Sequence, residues 1–116
     1  MDAKQKYLLA AKALDDKKAT DIKVLKIAKI STLGDYFVLC EGGSTTQVKA
    51  LADNVEFLLK QQGAEPLRVE GYQSANWILL DYGDVMVHVF LHETREFYDL
   101  ERLWADGELV DWESEA

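Results

Sequence analysis

The chain has 116 residues, of which 48% are hydrophobic, 13 are Lys or Arg and 21 are Asp or Glu, giving a formal net charge of −8. This length fits one domain, and so apolar a composition excludes a disordered chain. Five acids (Asp106, Glu108, Asp111, Glu113, Glu115) and no base follow residue 105, leaving 16 acids against 13 bases before it; a mildly acidic body with an acidic tail binds polyanions poorly, which disfavours nucleic acid as the main partner.

In chain order, residues 3–18 predict a helix, with Tyr7, Ala10, Ala11 and Leu14 at helical spacing. Residues 21–30 predict a strand whose alternation slips phase once (Ile22, Val24, then Leu25, Ile27), the mark of a bulge or of burial on both faces. Residues 31–35 supply turn formers. Residues 36–41 form a continuous apolar run, as expected of a central strand, and pair with the preceding strand as a hairpin. Gly42-Gly43-Ser44 ends the run, and Ser44 with Gln47 fits a capping box. The helix it opens extends to about Gln62, with an apolar stripe of Val48, Leu51, Ala52, Val55, Leu58 and Leu59 and a stop at Gly63. Residues 67–70 predict a short strand, reached by a parallel crossover from residues 36–41. Residues 77–81 and 85–91 predict two strands, and the link Tyr82-Gly83-Asp84 is short enough only for an antiparallel hairpin. A last helix is predicted over residues 93–105, with Phe97, Leu100 and Trp104 on one side.

The order is therefore α-β-β-α-β-β-β-α. It predicts an α/β (α+β) domain with a single mixed sheet and flanking helices over residues 1–106, followed by an acidic tail, 107–116, read as a solvated end for which a basic protein surface is the natural neighbour. The longest apolar runs, 36–40 and 77–80, fall far short of the roughly 20 residues a membrane helix needs, and residues 1–6 are too polar for a signal core. The lone cysteine, Cys40, cannot form an internal disulfide, and a reducing, cytoplasmic setting is expected.

Three constellations could carry chemistry. Gly42-Gly43-Ser44 between strand and helix could hold a phosphate on backbone N–H groups, but the P-loop lysine is missing. A Gly-Ser turn here also matches the nucleotidyltransferase fold. Those enzymes clamp Mg²⁺ with an Asp-x-Asp pair on the next strand; residues 67–70 offer only Glu70, and Asp81 and Asp84 have the wrong spacing. His88 and His92 with Cys40 or Glu93 make a poor zinc set, because histidines four apart do not share a side across a strand end. A thiol in an apolar strand has a raised pKa, which argues against a Cys40 nucleophile. No catalytic residue, cofactor or metal is expected. The third constellation is aromatic: Trp77, Phe90, Phe97, Tyr98 and Trp104, interleaved with Arg95, Glu101 and Arg102. Some of these must pack between sheet and helix, but successive helical residues turn by about 100°, so they cannot all point inward. An outward set rich in Trp, Tyr and Arg marks a protein-docking surface.

The same C-terminal unit carries a family resemblance. The run from Trp77 to Phe90 (WILLDYGDVMVHVF), followed by Glu93, Arg95, Tyr98, Leu100-Glu101 and Leu103-Trp104, resembles the signature of the ribosomal silencing factor family, RsfS, also called Iojap-like. Asp35–Cys40, Gly43-Ser44, Gln47-Val48, Ala52–Val55, Glu70-Gly71 and Ser74-Ala75 agree with it. The resemblance spans residues 21–106, leaving the tail with Trp112 outside. It implies a nucleotidyltransferase-like fold without the metal-binding acids. It further implies binding to the fourteenth large-subunit ribosomal protein, blockage of small-subunit joining and repression of translation under starvation, a homodimer when free, and, in organellar relatives, a role in large-subunit assembly. The expected docking residues are Trp77, His88, Tyr98 and Trp104 as anchors, with Asp84, Arg95, Leu100 and Glu101 around them. A nucleotide-binding degenerate nucleotidyltransferase is the alternative, and a dimeric scaffold without ribosome contact is a third.

Overall fold

The computed structural model describes residues 1–27, 34–95 and 107–116 in full and the backbone of 96–98. Helix α1 (Ala3–Asp16) opens on a capping box in which Asp2 accepts the Gln5 N–H at 2.8 Å and Gln5 Oε1 accepts the Asp2 N–H at 2.9 Å. Strands β1 (Thr20–Lys26) and β2 (Tyr36–Gly42) pair antiparallel, with a register shift between Thr20 and Lys23. The phase slip at Val24–Leu25 has the other expected cause, burial on both faces: Ile22 and Val24 pack into one core and Leu25 and Ile27 into another, while the register shift lies before it; the expected continuation of β1 through 28–30 lies outside the described residues. Helix α2 (Thr45–Gln61) buries Val48, Leu51, Ala52, Val55 and Leu59. Strands β3 (Arg68–Glu70), β4 (Trp77–Asp81) and β5 (Val85–Leu91) lead straight into helix α3 (His92–Tyr98). Strand β6 (Glu108–Val110) and helix α4 (Trp112–Glu115) follow.

The six strands form one sheet in the order β3-β4-β5-β2-β1-β6. Only β2 and β5 pair in parallel; the other neighbours are antiparallel. The crossover from β2 ends, as expected, in a strand parallel to it, since β2 and β5 run parallel and β4 is antiparallel to both β5 and β3. Strand β3 does not lie beside β2, however: β4 and β5 stand between them. The reason is burial: β2 and β5 are apolar toward both faces and claim the centre, whereas all three β3 residues are exposed, which suits an edge.

The tail expectation is corrected too. Residues 108–110 join the sheet, with Val110 opposite Val24, and α4 returns to α1. Trp112 packs half-buried against the core, and Glu115 accepts from the Tyr7 hydroxyl and pairs with Lys4, both at 3.1 Å. The open edge of β1 satisfies the backbone of a three-residue strand too short to announce itself in the sequence.

Two cores result. On one face of the sheet, α1 and α2 cover Val24, Val38, Cys40, Ile78, Leu80, Val85, Val87 and Val89. The other face carries a second cluster of Ile27, Phe37, Leu39, Met86 and Phe90, with Leu25 and Leu79 at its margin. At roughly 1.5–3 kcal/mol per fully buried large apolar side chain, both faces contribute to folding, and the second face also positions the candidate site.

Candidate functional site

Cross-strand register lays out the second face in rows. Trp77 pairs with Phe90, Leu79 with His88 and His88 in turn with Leu39, and Asp81 with Met86, which faces Phe37. Trp77, first in β4, stays 36% exposed, while His88 is only 5% exposed. The His88 ring meets Phe37 edge-on at 4.7 Å and stacks on Phe90 at 6.0 Å, and Trp77 leans on Phe90 at 5.1 Å. The Trp77 indole N–H donates to His88 Nδ1 at 3.1 Å. An indole nitrogen is donor only, so His88 Nδ1 must be unprotonated. Burial agrees with that assignment: it pushes the imidazole down to about 4, with only weak opposition from Asp81. Just before β4, Gly71 at φ +79° lies against the Trp77 carbonyl, so close that a Cβ there would stand 2.1 Å from the oxygen. The loop and the buried histidine together fix where Trp77 sits.

Arg95 on α3 is 4% exposed and points inward. Its guanidinium reaches the Asp21 carboxylate at 3.3 Å, the Asp21 carbonyl at 3.2 Å and Glu41 Oε1 at 3.5 Å, and it lies 6.0 Å over the Phe90 ring. His92 Nδ1 stands 2.7 Å from the second Glu41 oxygen. These contacts fasten α3 to the end of β2 and to the β1 bulge, where Asp21 takes φ +51°. Sequence reasoning missed Asp21, Glu41 and His92 as a group. The available signal was Glu41, a carboxylate closing an apolar run directly before two glycines.

The structure gathers Trp77, His88 and Arg95 around Phe90 but does not bring Asp84 to them. Asp84 occupies the β4–β5 turn, about 20 Å along β5 from Phe90 at roughly 3.3 Å per residue. There its carboxylate pairs with Lys6 at 2.9 Å and its carbonyl accepts the N–H groups of Asp35 and Tyr36. His88 is correspondingly not an exposed anchor, because strand alternation turns it into the second core. Tyr98 is placed by its backbone as the last residue of α3. Leu100, Glu101 and Trp104 lie outside the described residues.

The Gly43-Ser44 turn is occupied by its own side chains. Ser44 Oγ accepts the Gln47 N–H at 3.1 Å, and Gln47 Oε1 takes the Gly43 N–H at 2.7 Å, one residue earlier than a standard box. Glu70 and Asp81 both bind Arg68, and Asp81 also accepts the Gly83 N–H. Burial pushes the Cys40 thiol up, as its place in an apolar strand foretold. His88 and His92 face different partners, and no group of three or more His, Cys, Asp or Glu suited to a metal occurs among the described residues. No helix among them is long and apolar enough to cross a membrane. What the described site offers is one part-exposed aromatic side chain, Trp77, on a buried support.

The family described as "Ribosomal silencing factor during starvation" matches residues 1–116, so the match includes the C-terminal strand and helix. The chain is 45% identical over 105 residues to the ribosomal silencing factor RsfS of Halalkalibacterium halodurans, covering 90% of each. It is 34% identical over 97 residues to the mouse protein named mitochondrial assembly of ribosomal large subunit protein 1, covering 78% of this chain and 41% of that one. A crystal structure of a Chromobacterium violaceum protein superposes with a TM-score of 0.87 at 41% identity, covering 90% of this chain and 88% of that one. With a family match along its whole length and a shared fold, the chain belongs to the ribosomal silencing factor family.

Proposed function

We propose that the protein silences ribosomes by docking, without catalysis, on the fourteenth protein of the large subunit, where it stands in the way of the small subunit and represses translation under starvation. The observation that carries this reading is the family match over residues 1–116. The mouse relative's name, which ties it to large-subunit assembly, supports the choice of subunit. Steric exclusion requires only a stable interface. A standard one takes about 800 Å² per partner, a modest part of the 6438 Å² surface. The exposed Trp77 indole on its buried support is suited to anchor it. A cytoplasmic site of action and a homodimer in the free state complete the proposal, and light scattering on the free chain tests the dimer.

The nucleotidyltransferase alternative has less support, since the N–H groups of Gly43 and Gln47 are already taken by Gln47 and Ser44 side chains. The test is sedimentation with separated subunits. The protein should travel with large subunits and not small ones, and Trp77→Ala, with unchanged melting, should weaken the association at least about thirtyfold, as for a ~2 kcal/mol anchor. Sedimentation with small subunits or with neither ends the reading. Saturable nucleotide binding with Mg²⁺, lost in Ser44→Ala, would favour the alternative.

A further inference from the structure

Trp77 and His88 raise a question that membership in the family does not answer. A tryptophan at a docking face ordinarily offers two things, a broad aromatic surface and one hydrogen-bond donor. Here the donor is already committed. The indole N–H points into the sheet, onto a histidine that is 5% exposed and held between Phe37 and Phe90. With that donor taken, the indole has only its carbon surface to offer a partner. The ring is also restrained: the hydrogen bond fixes its inner edge, Phe90 supports it, and the close approach of Gly71 fixes the backbone carrying it.

We infer that His88 is a positioning residue for docking: by accepting the Trp77 N–H it locks the indole with its donor inward, so that the partner meets a preorganised, carbon-only aromatic face. The inference rests on the docking reading above and adds the chemistry of the partner's side. The complementary surface is apolar, and it supplies no acceptor to the indole. An imidazole suits the task because, in a dry pocket, it stays neutral with a lone pair on Nδ1. An anion in that position would be costly to bury, and an aliphatic side chain would leave the indole N–H without a buried acceptor. Locking the ring in advance removes the ordering cost of a large side chain from the binding step.

The test is a double-mutant cycle on the full chain, read by affinity for isolated large subunits and by the indole N–H resonance of Trp77. That resonance is identified as the one missing from Trp77→Phe among the chain's three tryptophans. In the wild type it should exchange slowly with solvent. His88→Leu, similar in bulk and suited to an apolar pocket, should speed the exchange and weaken binding about 2- to 10-fold, the cost of ordering one large side chain. His88→Asn, whose Oδ1 falls near the place of Nδ1, should restore both. In a Trp77→Phe background, where no N–H remains to hold, His88→Leu should have no further effect. An equal loss in both backgrounds would mean that His88 acts through the fold alone, and would overturn the inference. So would unchanged affinity in His88→Leu, or fast exchange in the wild type. If the wild type fails to bind large subunits, the docking reading fails and takes the positioning role with it. Failure of positioning alone leaves wild-type binding intact.

Discussion

Gly71 and Gly63 form a matched pair for testing how tightly the Trp77 loop is built. Both take positive φ, +79° and +85°, but a Cβ on Gly63 would meet nothing within 4 Å, whereas one on Gly71 would stand 2.1 Å from the Trp77 carbonyl oxygen and 3.2 Å from its carbon. Replacing either by Ala incurs the left-handed penalty of about 1–2 kcal/mol, partly offset by about 0.4–1 kcal/mol from the stiffer unfolded chain. Those terms are common to the two variants. Gly71→Ala must in addition push two backbone segments apart by about 0.9 Å to reach even a tight 3.0 Å contact, and overpacking of this kind adds about 1–3 kcal/mol. Urea unfolding of both variants, extrapolated to water, should find Gly63→Ala destabilised by about 1 kcal/mol or less and Gly71→Ala by about 1–3 kcal/mol more. The displaced atoms belong to Trp77, so large-subunit binding should weaken in Gly71→Ala and not in Gly63→Ala. A stability difference below about 0.5 kcal/mol between the two would refute the close-packed loop.

Two further outcomes follow from buried groups. His88 titrates near 4 when folded against an ordinary 6.5 when unfolded, so between those values the unfolded chain holds more protons. Stability should fall by up to ~3 kcal/mol as pH drops from about 6.5 to about 4, with no further loss from this group below that, and the slope should vanish in His88→Leu when urea midpoints are compared across pH. Arg95→Ala should cost about 2 kcal/mol, because it removes the charge-assisted bonds to Asp21 and Glu41 together, while the exposure of Asp21 and the His92 contact of Glu41 keep the loss below that of a fully buried pair; a loss under about 1 kcal/mol in the same unfolding assay would show that α3 is held by other contacts.

Much of the framework could be read from local pattern. The Ser44 cap, the α2 stripe, the β4–β5 hairpin and the two-sided burial of β1 are set by residues within one turn or one strand of each other. The place of β3, the pairing of β2 with β5 and the existence of β6 depend on which strands compete for which neighbour. Three exposed residues at 68–70, and two exposed and one half-buried at 108–110, carry too little periodicity to decide that. The site divides the same way. Trp77 was recognisable as an aromatic at a strand start, but a strand that is apolar on both faces does not reveal which of its polar residues are covered. His88 therefore reads as a surface anchor although it is buried among the second core's rings. The role of Asp84 was obscured for a similar reason: its partner, Lys6, lies 78 residues away in sequence.

The parallel seam between β2 and β5 bears on how the chain comes to fold. Every partner across it is 49 residues distant, from Tyr36 with Val85 to Gly42 with Leu91, whereas Asp81 and Met86 in the neighbouring hairpin are five apart. Closing the longer loop costs about 2 kcal/mol more in chain entropy. The two hairpins and α2 can thus assemble early, while the central seam waits on a long-range encounter, a topology associated with slower folding. During synthesis the wait is obligatory, since each β2 residue is made 49 residues before its partner in β5. Phe37 to Cys40, among the most deeply buried residues of the finished molecule, spend that interval as a β-prone segment without its parallel partner. A segment central to the finished sheet is thereby open to aggregation in the nascent chain, and the rate of seam closure sets how long it stays so.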